Sequence, residues 1–444
     1  MANDRAPSLP LVIASSAAGT VIEWYDFYIF GTLTVFLTPH FFPKENPTAG
    51  LLSTLAVFAS GFAARPFGAL VFGRIGDLVG RKYAFLLTLL IMGASTFAIG
   101  LLPTYAQVGI LAPALLTALR LIQGLALGGE YGGAAIYVAE HAPEGQRGLF
   151  TSFIQTTATI GLFAALGVIL LTRQSLGDDA FRAWGWRVPF LLSAFLMGLS
   201  VYIRVRLKES PLFTAMRESG KTSKAPLTES FGNARNWRVI AVAFFGAAAG
   251  QAAIWYTGQF YALLFLQTIL KVDYAIAYQI VAMGLLLGTP FFIVFGALSD
   301  RIGRKPIMMA GNLLAVLTVY PIFRLMTALA PAGAPNIVGL TLCVAALVIL
   351  VTMVYAPIAA YLVEAFPARI RYTSLSLPYH VANGYIGGFT PLIATALVAR
   401  TGNNYAGLWW PIGIAAMTFV VGMVALRDTR GLNLWQEAVG RDGP

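Results

Sequence analysis

Charge is scarce in this chain. Only 11% of its 444 residues are Asp, Glu, Lys or Arg, whereas a soluble globular domain carries about a quarter. That deficit argues against a soluble fold. Cysteine is scarcer still: Cys343 stands alone, so no intrachain disulfide is possible, which says little about compartment. Histidine is limited to His40, His141 and His380, scattered without metal-ligand spacing, and no metal is expected. The patterns G-x-x-x-x-G-K-[ST], H-E-x-x-H and G-x-S-x-G are missing. With them go the expectation of an enzyme and of an ATP-driven pump. The opening MANDRAPSLP lacks the basic start of a signal peptide, and the alternation of a membrane β-barrel is absent.

What is abundant is apolar length. The chain is 58% hydrophobic, its mean hydropathy is +0.73, and apolar runs recur throughout. Each run is long enough to cross a bilayer core of about 30 Å as a helix. Twelve spans are expected, near 11–37, 51–74, 83–102, 107–138, 148–172, 187–207, 238–268, 276–298, 306–328, 337–363, 372–399 and 405–426. The formal charge of +11 does not signal nucleic acid, because the basic residues sit in short loops between spans. With the N-terminus inside, inner loops hold Arg74, Arg81, Lys82, Arg147, the basic residues from Arg204 to Arg238 (Lys208 among them), Arg301, Arg304, Lys305, Arg369 and Arg371. Outer loops hold only Lys44, Arg173, Arg182, Lys271 and Arg400. Positive charge staying inside puts both termini in the cytoplasm.

Two landmarks repeat. GRIGDLVGRK (Gly73 to Lys82) and GALSDRIGRK (Gly296 to Lys305) share half their positions. EHAPEGQR (Glu140 to Arg147) and EAFPARIR (Glu364 to Arg371) each place Pro three residues and Arg seven residues after Glu. The two offsets agree within one residue and are about half the chain. An all-α membrane protein is expected, with a six-helix half over 1–207, a cytoplasmic loop over 208–236 and a second half over 237–444.

These residues carry a family resemblance. GALSDRIGRK fits the major facilitator superfamily loop motif G-x-L-x-D-R-x-G-R-K at every fixed position, while GRIGDLVGRK departs from it at Ile75 and Leu78. RLIQGLALGG, from Arg120, resembles the R-x-x-Q-G-x-x-x-G pattern of proton-coupled members. GTVIEWYDFYIFG, ARPFGALVFGRIGD, RLIQGLALGGEYGGAA, WGWRVPF and KESPLF resemble the metabolite:proton symporters. The resemblance implies a twelve-helix secondary transporter of the bacterial inner membrane, with its site between halves at mid-membrane. Its energy would come from a proton gradient rather than a cofactor. Relatives of this kind move shikimate, α-ketoglutarate, citrate, proline or betaine, so the resemblance names the family and not the substrate. A small organic acid is favoured, since two arginines lie within spans. A zwitterionic osmolyte is the alternative, although the stretch after Arg427 is short and lacks heptads. The partners expected are an anionic small molecule and the lipid bilayer, with the chain working as a monomer.

The candidate site starts from Glu23 and Asp26. They lie about 60° apart on one helix face, at a depth where an ionisable group costs about 2.5–3.5 kcal/mol. Either they handle protons or substrate in a wet cavity, or one is locked in an ion pair. Arg65 lies about 14 Å from the inner surface and Glu23 about 18 Å deep, at 1.5 Å per residue. Arg65 therefore pairs with Glu23 or meets an anionic substrate, and Pro66 can kink the helix beside it. Arg120 shares a stripe with Gln123, Leu127, Tyr131 and Ala134, and Glu130 flanks it. Gly124, Gly128 and Gly132 form a small-residue ridge suited to close packing.

The second half offers neutral groups: Gln251, Trp255 and Gln259, Tyr355 and Tyr361, then Tyr379, His380 and Asn383. These read either as substrate contacts or as interhelical hydrogen bonds. Proton coupling is accordingly assigned to Glu23, Asp26, Arg120 and Glu130. Substrate contact is assigned to Arg65, Arg120, Tyr25, Gln123, Tyr131, Gln251, Trp255, Gln259, Tyr379 and Asn383. Asp77, Arg81, Glu140, Arg147, Asp300, Arg304, Glu364 and Arg371 are expected to form a cytoplasmic gate, with Lys82 and Lys305 as plain topology anchors.

Overall fold

The structure is a computed structural model describing residues 9–43, 46–205, 209–331 and 333–440. Lys44 and Lys208 fall outside these residues, as do the side chains of Arg81, Lys82 and Arg204. Ten described helices are long and apolar enough to cross a bilayer: Pro47–Leu78, Leu111–His141, Arg147–Leu176, Gly185–Ile203, Ala234–Ile269, Tyr274–Ile302, Arg304–Ala328, Ile337–Ala365, Ala368–Thr401 and Ala406–Ala425. Leu9–Thr32 and Arg81–Leu101 complete the twelve as the first and third spans. The fold is that of a twelve-helix membrane protein in two six-helix halves. Two short helices, Pro211–Glu218 and Pro226–Phe231, lie between the halves.

Local chemistry sets where the spans begin. Asn46 caps the second span by accepting from Ala49 N at 3.0 Å, with Pro47 behind it. Asp273 and Asn336 cap the eighth and tenth. The two loop motifs turn at Gly80 (φ 128°) and Gly303 (φ 106°), conformations that side chains with a Cβ rarely adopt. This explains why glycine recurs there in both copies.

Several described spans are interrupted, among them the second, fourth, seventh, tenth and eleventh. The second breaks at Ala64, just before Arg65 and Pro66. Pro66 has no N–H to continue the ladder. The fourth breaks at Gly129 and the tenth at Ala356 and Pro357. The seventh holds π-turns at Phe244–Ala248, Thr257–Tyr261 and Phe265–Ile269, and the eleventh one at Ala382–Gly387. Such turns aim side chains off the regular helical face and gather at functional sites.

The glycine ridge packs as expected over most of its length. A Cβ on Gly124 would lie 1.6 Å from Gly61 O, and one on Gly128 2.1 Å from Arg65 O. The second and fourth spans thus cross with their backbones touching. Gly132 faces the other half instead, where a Cβ would meet Ser376 Oγ at 2.6 Å.

Candidate substrate site and gates

Arg65 sits where the second span resumes after its break, and it is fully buried. None of its three guanidinium nitrogens meets strict hydrogen-bond geometry with a described residue, the neutral hydroxyls of Tyr256 and Tyr379 are its hydrogen-bonding neighbours, and it forms no ion pair among the described residues. The expected Glu23 pair is not made. The guanidinium instead lies beside the rings of Trp24 and Phe62, 5.6 and 5.4 Å from their centroids. It lies within electrostatic reach of Tyr28, Tyr256, Tyr379 and His380, the last three from the second half.

Aromatic rings join the halves around it. Tyr28 stacks between Trp24 at 4.9 Å and Trp255 at 5.1 Å. Phe62 meets Tyr256 edge-on at 5.1 Å. Tyr131 stacks on Tyr379, whose hydroxyl lies 2.7 Å from that of Tyr355. Gln155 donates to Tyr131 Oη at 2.6 Å and to Tyr355 O at 3.1 Å, crossing the junction. Asn383 donates to Gln251 Oε1 at 3.1 Å, joining the seventh and eleventh spans. Beside these satisfied groups stand Trp255 Nε1, both amide atoms of Gln259 and both ring nitrogens of His380, all without a hydrogen bond to described residues. Buried polar atoms are nearly always bonded. A cluster of idle donors and acceptors at one junction is the chemistry of a small polar ligand.

The structure separates the expected site residues into two groups. Arg65, Tyr131, Trp255, Gln259, Tyr379, Gln251 and Asn383 belong to this junction or border it. Tyr25, Arg120 and Gln123 do not. Tyr25 donates to Pro189 O at 2.8 Å and packs on the sixth span. Arg120 is caged by Phe27 and Phe30, 4.2 and 4.7 Å from their centroids, and donates to Gln123 Oε1 at 2.7 Å. Gln123 in turn donates to Thr96 at 2.7 Å. These contacts knit the first four spans together inside the first half. The helical stripe gathered Arg120 with Tyr131, but the break at Gly129 turns the two apart.

Glu23 and Asp26 are both buried. Tyr28 faces the second half, and Asp26 and Glu23 lie about 160° and 140° around the helix from it. Both positions therefore lie on the side of the first span opposite Tyr28. Glu130 is buried at the break of the fourth span, next to Tyr131.

At the loop-motif end the two repeats exchange partners. Asp300 accepts from Gly148 N at 2.8 Å and Leu149 N at 2.7 Å, so the second half caps the fifth span. Asp77 accepts from Thr373 N at 3.1 Å and Thr373 Oγ1 at 2.7 Å, so the first half caps the eleventh. Arg371 pairs with Glu140 at 3.4 Å, and Arg147 with Glu364 at 3.5 Å. Arg304 holds Asp300 at 2.6 Å and Glu364 at 3.1 Å. Arg81 has its side chain outside the described residues.

A third repeat appears here that the sequence reading missed. Ser210 Oγ donates to Glu140, and Thr429 Oγ1 donates to Glu364 at 2.6 Å. Each follows an acidic residue, Glu209 or Asp428, that closes on Gly80 or Gly303. The signal was present as KESPLF and RDTRGL, just after the sixth and twelfth spans.

The opposite end is closed by different chemistry. Tyr274 of the second half lies under Arg173 and Arg182 of the first, at 4.2 and 5.1 Å, and meets Phe36 edge-on at 4.8 Å. Tyr278 donates to Thr32 O across the same seam. The junction is thus sealed at both ends.

Residues 11–241 match the family model described as sugar (and other) transporter. The chain is 38% identical over 437 residues to the inner membrane metabolite transport protein YhjE of Escherichia coli, covering 95% of each. It is 34% identical to the Escherichia coli alpha-ketoglutarate permease, again covering 95% of each. The chain belongs to the major facilitator superfamily, among its metabolite transporters. The citrate-proton symporter of Salmonella typhi is a further relative, 32% identical with 97% of each chain covered. Among solved structures, a double tryptophan mutant of XylE superposes with a TM-score of 0.77 at 18% identity, over 97% of this chain and 98% of that one. That likeness shows the fold alone. This transporter is a multi-pass membrane protein, and its fold places the Arg65 junction between the halves.

Proposed function

We propose that this transporter carries a small organic anion together with protons into the cell by alternating access. The observation that carries the proposal is Arg65: a fully buried guanidinium, at the seam of the halves, with neutral tyrosine hydroxyls beside it and no ion-pair partner among the described residues. A charge removed from water needs a counter-charge and hydrogen bonds, and a carboxylate supplies both in the fork geometry of arginine. The relatives named for α-ketoglutarate and for citrate with protons support the same reading. The neutral donors of the second half then read the rest of the substrate. Glu23 and Asp26 carry the proton from the far face of the first span, so proton and anion are held by different groups on adjoining spans. The proton gradient is the driving force and no cofactor is required. The loop-motif end is cytoplasmic, as are both termini, the membrane is the bacterial inner membrane, and a single chain is the working unit.

Uptake into proteoliposomes under an imposed pH gradient tests this. The panel is mono-, di- and tricarboxylates beside proline and betaine. Accumulation of a carboxylate that vanishes when the gradient is collapsed is the expected result. Uptake indifferent to the gradient would refute symport, and selective uptake of the zwitterions would refute the anionic substrate.

A further inference from the structure

Resting on that reading, we infer that His380 is the second-half partner of Arg65, and that one substrate carboxylate is held by both. His380 is fully buried on the eleventh span, and neither Nδ1 nor Nε2 makes a hydrogen bond with a described residue. Its plane is set by rings instead. Tyr379 stands perpendicular to it at 5.1 Å and Tyr131 at 6.5 Å. An imidazole oriented by edges alone keeps an N–H free to donate in either tautomer.

The backbone brings this group to Arg65. One turn beyond His380, Gly384 lies so close to the second span that a Cβ would sit 2.7 Å from Phe62 O and 3.5 Å from Pro66 Cδ. Phe62 and Pro66 flank Arg65, and Arg65 acts electrostatically on His380. Two nitrogen donors without a charged partner among the described residues, one from each half, thus lie on the second and eleventh spans where these touch. No described carboxylate pairs with Arg65, and Asp77 is engaged with Thr373 at the gate. An anion with two acceptor oxygens satisfies both donors at once. Because the donors belong to different halves, the anion also ties the halves together, and a bound carboxylate favours the closed arrangement over either open one. Gln155 and the Gln251–Asn383 pair also cross or border this region but are already bonded; the idle Trp255 and Gln259 lie on the seventh span, whereas His380 lies on the eleventh, which touches the second span beside Arg65.

The test uses purified full-length protein and α-ketoglutarate as probe, with affinity read by calorimetry and ligand-induced thermal shift. H380L is expected to weaken binding about tenfold or more, the scale of one hydrogen bond to a charged group. H380Q, which keeps an N–H donor, is expected to recover most of the affinity and also guards against a folding defect in H380L. R65Q/H380L should bind no worse than R65Q alone, since both changes act on one carboxylate. H380L binding within about twofold of wild type would overturn the inference while leaving anion transport intact. Fully additive losses in the double variant would overturn it as well. Wild-type protein that binds none of α-ketoglutarate, citrate and succinate would overturn the anion reading and this inference with it.

Discussion

At the scale of the residue, Arg65 and the two carboxyls of the first span make opposite predictions. Arg65 is a buried charge with no ion-pair partner among the described residues, and on the proposed function its counter-charge is the substrate anion. R65Q should abolish uptake and at the same time raise the melting temperature of the ligand-free protein. R65K keeps the charge but loses the planar fork, and should transport with a KM raised about tenfold or more. Radiolabelled uptake and a thermal melt on the same preparations check both. On the proposed division of roles, in which Glu23 and Asp26 carry the proton, E23Q or D26N should spare substrate counterflow and remove accumulation driven by a pH gradient. Counterflow and gradient-driven uptake, measured side by side, separate the two roles. If both variants accumulate substrate normally, the proton lies elsewhere, and Glu130 is the next group to substitute. Helical spacing showed that the two carboxyls share a face. It did not show which neighbour that face meets, because that depends on how the first span is rotated against the rest of its half. Tyr25 and Tyr28 settle the rotation, one bonding to the sixth span and the other stacking on Trp255.

At the scale of the element, the gate is built from helix ends. The first amides of a helix lack partners and carry partial positive charge. Asp300 and Asp77 each satisfy such an end in the opposite half. Removing one of these charges should cost about 1–2 kcal/mol of the closed state. D300N is expected to shift the population toward a form open at the loop-motif end. Labelling of a cysteine placed at the junction in a Cys343→Ser background reads that shift. Exchanging the ions of one pair, in Glu140→Arg with Arg371→Glu, should restore closure that either single change loses. Repeats made most of this legible, since matching landmarks in two halves must lie on one side of the membrane. The crosswise pairing was not legible, because a repeat says which residues correspond and not which ones touch. The π-turns of the seventh and eleventh spans were hidden for a similar reason. Gly387, in the π-turn of the eleventh span, lies against the Tyr256 ring of the seventh, a contact between spans that no local pattern encodes.

At the scale of the whole molecule, two gates of different construction seal one site. The loop-motif end closes by paired charges and helix caps, duplicated by the repeat. The opposite end closes on Tyr274, with Arg173 and Arg182 above its ring, and no repeat mate announced it in the sequence. The two gates restrain opposite motions, so loosening each should tilt the same equilibrium in opposite directions. Y274A removes two cation–π contacts worth about 1–2 kcal/mol together, and should favour the form open at that end by roughly 5–30-fold. D300N should favour the other form by a similar factor. A double variant should therefore return toward the wild-type balance while both closed ends are weakened. Spin-label distances across each end, measured in the two single variants and the double, give the populations directly. If the sealed arrangement is one state on a two-sided path, the single variants move distances at one end each, and an added carboxylate draws all three variants back toward closure. A double variant that stays locked in either single form would show that the gates are not coupled through the Arg65 junction.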